Sequence, residues 1–221
     1  MLSLSRYSNP LCPATEESPV KLYDLAASPN TRRVRIYLAE KGIEIPTVAI
    51  DMSKGEQKTP EYLAKNSLGK MPVLELDDGT CIAESVAICR YLEELHPEPP
   101  MFGRDALERA RVEMWHRRAE LEILQPLMHV FGHTHEMWKG VLTQIPEWGA
   151  ACVETVQERY AWLDRELEGR EFIATDDYTV ADIALQCGLL MGKGIGVRAP
   201  DDLANLGAWW QRVSSRPTAR A

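Results

Sequence analysis

The chain has 221 residues, 45% of them hydrophobic and 26% charged, with a formal net charge of -8. That is the composition of a folded soluble protein, long enough to bury roughly 70% of its unfolded surface without a disulfide or metal staple. The acidic balance repels phosphate backbones and sets nucleic-acid binding aside, and no run of about 18 apolar residues is available to span a membrane. Cys12, Cys81, Cys89, Cys152 and Cys187 are odd in number and show no metal-binding spacing, and residues 1–19 hold no continuous apolar core. These features point to a reducing cytoplasm and to a loosely ordered extension over 1–19 rather than a signal peptide or anchor.

From residue 20 the pattern becomes regular. Residues 20–25 alternate as a strand. Ser28-Pro29 then opens a helix, with Ser as cap and Pro at the first helical position. Val34, Tyr37 and Leu38 form its buried face, and Gly42 stands where a glycine C-cap is expected. Residues 46–50 read as an edge strand, because Pro46 lacks a donor. Residues 54–68 are polar, with a short helix expected over 60–66. Residues 72–76 form a third strand, Asp77-Asp78-Gly79 a hairpin turn and residues 80–83 a fourth strand. From Glu84, Ile88, Tyr91, Leu92 and Leu95 follow a helical period that ends at His96-Pro97-Glu98-Pro99-Pro100.

Beyond Asp105 strand signals nearly vanish. Leu107, Ala110, Met114, Leu121, Leu124 and Met128 share one helical face, interrupted by Arg117 and Arg118. A second long helix is expected over 147–167, with Val153, Val156, Tyr160 and Leu163 as its stripe. Thr179-Val180-Ala181-Asp182 is a capping-box start for a third helix, with Tyr178 and Ile183 as its staple, and residues 203–213 offer one more. The expected division is an extension over 1–19, an α/β domain over 20–98 with a four-stranded mixed sheet, a linker over 99–104 and an all-α helical bundle over 105–221.

Three pieces carry chemistry: Ser28-Pro29-Asn30 after the first strand, Lys70-Met71-Pro72-Val73 before the third, and Glu84-Ser85 at the head of a helix. With Asn66-Ser67-Leu68-Gly69-Lys70-Met71-Pro72-Val73-Leu74, Asp78-Gly79, Ile82-Ala83-Glu84-Ser85 and the late Thr179-Val180-Ala181-Asp182, they make the chain from Val20 onward resemble the soluble, cytosolic-type glutathione S-transferases, bacterial-like and serine-type. The resemblance implies a thioredoxin-like first domain, an all-helical second one, a homodimer, and glutathione as co-substrate with no other cofactor.

It also implies residue roles. A cis bond at Met71-Pro72 would turn a backbone edge toward the ligand's cysteinyl portion. Ser85, at a helix N-terminus, would donate to the γ-glutamyl carboxylate, and Glu84 would receive the ammonium. Lys70 is a candidate for the glycyl carboxylate, as is Lys58. Ser28 is the first candidate to hold the thiolate, with Asn30 as competitor. No cysteine stands between Cys12 and Cys81, which argues against a mixed-disulfide mechanism. Trp115, His116 and Arg118 are the candidates for a second-substrate pocket. His129, His133 and His135 read as a surface cluster near a helix end, and no metal is expected. The reading is an enzyme that conjugates glutathione to small, largely apolar electrophiles. A glutathione-dependent peroxidase or disulfide reductase and a non-catalytic glutathione-binding regulatory module are the alternatives. Neither nucleic acid nor membrane is an expected partner.

Overall fold

The computed structural model describes residues 20–221. The extension expected over 1–19, with Cys12, lies outside the described residues. Strand β1 (Lys21–Asp24) lies between β2 (Thr47–Ala49) and β3 (Val73–Glu75), and β4 (Cys81–Ala83) completes the order β2-β1-β3-β4. β1 is parallel to β2 and antiparallel to β3, and β3 is antiparallel to β4, so the sheet is four-stranded and mixed as expected. β2 occupies an edge, where Pro46 gives up no ladder bond and its carbonyl still accepts from Leu22 N at 2.9 Å.

Helix α1 (Pro29–Lys41) leads from β1 toward β2. Ser28 caps it, and Gly42 ends it at φ 65°, a left-handed conformation that costs a residue without Cβ little. The polar stretch before β3 holds two 3₁₀ turns, Met52–Lys54 and Glu56–Lys58, and a helix α2 (Pro60–Leu63) shorter than the expected 60–66. The Asn66 side chain accounts for the early stop. Its Oδ1 accepts from Leu68 N at 3.1 Å and its Nδ2 donates to Lys70 O at 2.8 Å, closing a local turn that competes with further helix. The β3–β4 hairpin turns at Gly79, φ 81°, and Asp78 Oδ1 accepts from Thr80 N at 2.8 Å.

Helix α3 (Ser85–Leu95) buries Ile88, Cys89 and Leu92. The chain beyond it is pinned to α1. Lys41 Nζ donates to His96 O at 2.7 Å and to Pro99 O, and pairs with Glu93 at 2.6 Å, with its own side chain fully buried.

The rest is helical: α4 (Ala106–Arg118), a π segment (Ala119–Leu124), α5 (Gln125–Thr134), α6 (Pro146–Glu166), α7 (Val180–Gly194) and α8 (Ala204–Ser214). One expectation fails here. Leu107, Met114 and Leu121 are 60%, 40% and 43% exposed, whereas Val112, Trp115, Ala119, Ile123, Leu124 and Leu127 form the buried face. The helix carries two apolar stripes, and the periodicity does not say which one meets the core. The π segment then adds a residue to its turn and shifts the register, so that Leu124 is buried while Leu121 is not.

α6 buries Cys152, Val156, Tyr160 and Leu163, and α7 is buried over almost its whole length. Gly188 lets α7 approach the π segment, since a Cβ there would stand 3.1 Å from Ile123 Cγ2. The apolar core runs unbroken from Leu22, Tyr37, Leu74 and Ile88 into Val112, Ile123, Leu127 and Ala184. The opposite face of the sheet buries a smaller cluster of Ile50, Tyr62, Met71 and Val73. A polar clasp adds to the junction between the two halves. Arg216, after α8, grips Glu40 of α1 through two bonds of 2.8 and 2.6 Å, and Thr218 donates to the same carboxylate. Among the described residues no helix is long and apolar enough to cross a membrane.

Candidate active site

Three chain segments converge on one open cleft of about 370 Å³ lined by Asn30, Asn66, Lys70, Met71, Pro72, Glu84 and Ser85. They are the start of α1, the turn before β3 and the junction of β4 with α3. Five of the six residues expected to bind glutathione are thereby brought together, along with one of the two thiolate candidates.

The turn before β3 is fixed from beneath. The Met71–Pro72 peptide is cis. Both residues are buried, while Lys70 is exposed beside them. The Lys70 carbonyl accepts from Tyr62 Oη at 2.9 Å and from Asn66 Nδ2 at 2.8 Å, so the backbone that leads into the cleft is held by two side chains. Gly69 makes this turn possible, because at φ 61° a Cβ would stand 2.7 Å from Gln57 O. Asn66 belongs to the sequence motif, and its position four residues before Lys70, in a stretch rich in turn formers, is the sequence signal for this supporting role.

At the β4–α3 junction Glu84 adopts φ 69°, the one positive φ outside glycine among the described residues. Such a conformation costs on the order of 1–3 kcal/mol and persists where the surroundings impose it. It leaves Glu84 exposed at the helix head and puts the buried Ser85 in the first turn of α3. The first N–H groups of a helix have no partner within it, and with the helix dipole they favour an anion.

Ser28 and Asn30 stand at the head of α1. Ser28 Oγ accepts from Asn30 N at 3.3 Å, a cap bond that leaves the hydroxyl hydrogen free to donate elsewhere. Asn30 lines the cleft and Ser28 does not. Lys58 is also outside the lining, exposed at the end of its 3₁₀ turn.

The second-substrate candidates separate. Trp115 is 4% exposed and stacked on Trp162 at 5.6 Å, with the Arg118 guanidinium 4.7 Å above its ring. Trp115 and Arg118 thus pack against Trp162 of α6 and are not part of the cleft lining. Glu122, four residues beyond Arg118, pairs with Arg159 at 2.7 Å. His116 faces another way. It lines a narrow interior cavity with Arg33, Tyr37, Ser85 and Cys89, between the two halves of the protein. Burial, with the Arg33 charge beside it, pushes its pKa down to about 4, so His116 is neutral there.

His129 and His133 sit edge to face at 6.2 Å. His129 Nδ1 accepts from Trp148 Nε1 at 3.2 Å, and His133 Nδ1 accepts from Ile145 N at 3.1 Å. Among the described residues no three His, Cys, Asp or Glu side chains are grouped to hold a metal ion.

Residues 22–100 match the family described as glutathione S-transferase, N-terminal domain, and residues 141–217 match glutathione S-transferase, C-terminal domain. Glutathione S-transferase 2 of Saccharomyces cerevisiae is 39% identical over 203 residues, which span 90% of this chain and 87% of that one. The chain belongs to the glutathione S-transferase family. Maleylacetoacetate isomerase of Pseudomonas aeruginosa is 31% identical over 200 residues, covering 84% of this chain and 91% of that one. A glutathione S-transferase domain-containing protein of Marinobacter aquaeolei VT8 superposes with a TM-score of 0.85 at 38% identity, covering 90% of this chain and 99% of that one. The expected pairing of a mixed-sheet domain with a helical one is thus the architecture of this family. The cleft lies within the matched N-terminal half.

Proposed function

We propose that the protein binds glutathione in the cleft between α1, the cis Met71–Pro72 turn and the head of α3, and conjugates it through its sulfur to small, largely apolar electrophiles. The convergence of those three segments on one cleft carries the reading. The backbone at Met71 and Pro72 is placed to pair with the cysteinyl portion as a short added strand. Ser85 and the head of α3 receive the γ-glutamyl carboxylate, Glu84 its ammonium and Lys70 the glycyl carboxylate.

The sulfur then lies toward the head of α1. A free thiol ionises near pKa 8.5. Lowering that by about two units takes about 2.7 kcal/mol of preferential stabilisation of the thiolate. The Ser28 hydroxyl and Asn30 amide as donors, together with the dipole of α1, supply interactions of that size. The bound thiolate attacks an electrophilic carbon, the new C–S bond forms and the leaving group departs with its electron pair. Holding both reactants together removes much of the entropic part of the barrier.

We also assign the protein to the cytoplasm as a homodimer. Free thiols at Cys81, Cys89, Cys152 and Cys187 support a reducing compartment. The exposed stripe of Leu107 and Met114 on α4 and Leu121 on the π segment, with exposed Leu63 and Leu68 on the sheet-bearing half, supports packing of that half against the partner's helices.

The test is a parallel assay with glutathione and an aryl halide, a hydroperoxide, a mixed disulfide and a cis-olefinic diketo acid. The last is included because of the similar isomerase. Conjugation of the aryl halide is the expected activity. Turnover confined to another substrate would move the assignment to peroxidase, reductase or isomerase. Retention on a glutathione matrix without any thiolate absorbance would make the protein a binding module.

A further inference from the structure

Ser85 lines two cavities at once, the open cleft and the narrow interior cavity behind it. Ser85 therefore stands between the cleft and the protein interior, and the group that reaches its hydroxyl from the interior sets what that hydroxyl offers to a ligand. Behind it is Arg33 of α1, 3% exposed, whose Nη1 donates to Ser85 Oγ at 3.4 Å and to Glu120 Oε1 of the π segment at 3.0 Å. Glu120 is itself held by Arg117 at 2.8 Å. Arg33 Nε and Nη2 and His116 Nδ1 are buried without a protein partner, so Arg33 is not placed there to saturate its own hydrogen bonds.

We propose that Arg33 is a positioning residue for the carboxylate bound at the head of α3, acting through Ser85 and held in place by Glu120 of the helical half. The inference rests on the reading of the cleft as the glutathione site. A serine hydroxyl has one hydrogen and two acceptor lone pairs. While Ser85 Oγ accepts from Arg33, its hydrogen is left for the cleft, so Arg33 makes Ser85 a donor toward an anion. The guanidinium, always charged, also adds positive potential behind the helix head. The neutral His116 contributes no charge of its own there. Because Glu120 belongs to the helical half, the docking of the two halves determines how well the first half holds the ligand.

The test measures binding of two ligands by calorimetry: glutathione and its analogue with 4-aminobutyrate in place of the γ-glutamyl residue, which lacks only that carboxylate. Wild type and the variants Ser85→Ala, Arg33→Met, Arg33→Lys and Ser85→Ala/Arg33→Met are compared. Arg33→Lys keeps the buried charge should Arg33→Met fail to fold. Wild type is expected to prefer glutathione. Arg33→Met should weaken glutathione about tenfold, Arg33→Lys less, and the analogue hardly at all; a tenfold change is about 1.4 kcal/mol. In the Ser85→Ala background the Arg33→Met effect should shrink to a small residue. Equal weakening of both ligands, or full additivity with Ser85→Ala, would make Arg33 a purely structural residue and overturn the inference. If wild type shows no preference for glutathione, or Ser85→Ala changes nothing, the reading of the cleft itself fails.

Discussion

Asp182 Oδ1 accepts a hydrogen bond from the indole Nε1 of Trp209 at 2.9 Å, tying the head of α7 to α8. The same carboxylate accepts from Ile173 N at 2.9 Å and, at 3.1 Å each, from Thr179 N and Thr179 Oγ1. The capping box read from Thr179-Val180-Ala181-Asp182 is therefore present, and it does more than cap a helix. Burial pushes the Asp182 carboxyl up, against the pull of these donors. Asp182→Ala leaves four buried donors without an acceptor and should cost at least about 4 kcal/mol, since each orphaned group costs about 1–3 kcal/mol. Urea denaturation reads this as a lower midpoint. Trp209→Phe removes one of the four bonds, together with part of a fully buried ring, and leaves the other three donors paired, so it should cost less than Asp182→Ala.

Ser28 and Asn30 are separable by the pKa of the bound thiol. Ultraviolet titration of the thiolate should show Ser28→Ala raising that pKa by about one unit, equivalent to about 1.4 kcal/mol. Ser28→Thr, which keeps the hydroxyl, should restore it. Asn30→Ala should raise it less. The reverse order would transfer the role to Asn30, which lines the cleft where Ser28 does not. Ser28→Ala also deletes the cap of α1, so about 1 kcal/mol of stability should go with it.

His116 makes stability depend on pH in a defined window. Its pKa is pushed down from 6.5 to about 4 by burial and by Arg33. Between those values the unfolded chain binds a proton that the folded chain refuses. Stability is therefore intact above pH 6.5 and falls as pH drops toward 4, by a few kcal/mol at most. His116→Asn should flatten the dependence of the urea midpoint on pH in that interval. An unchanged slope would show that His116 is protonated in the folded state.

Met114 lies in the middle of the exposed apolar stripe of α4, 40% exposed between Leu107 and Leu121. Met114→Glu should shift the protein from dimer to monomer in sedimentation equilibrium. Its thermal midpoint, measured at concentrations that keep wild type monomeric, should be almost unchanged, because the side chain leaves no core contact. A wild type that is monomeric at all accessible concentrations would remove the homodimer.

The sequence alone determined the order of elements in both halves, the cap at Ser28, the C-cap at Gly42, the hairpin at Gly79 and the capping box at Thr179–Asp182. These depend on neighbours within a few residues, where turn chemistry and periodicity act directly. It also grouped Asn30, Lys70, Met71, Pro72, Glu84 and Ser85 through the motif resemblance, and the fold sets these six around one cleft. Only the tertiary structure decided which stripe of α4 faces the core, since two apolar faces satisfy the same helical period and the π segment shifts the register between them. That choice sends Trp115 and Arg118 into a stack with Trp162 and turns His116 toward Ser85. It likewise brings Arg33 behind the head of α3 with Glu120, 87 residues away, as its counterion. Burial and long-range charge pairing arise only when distant segments pack.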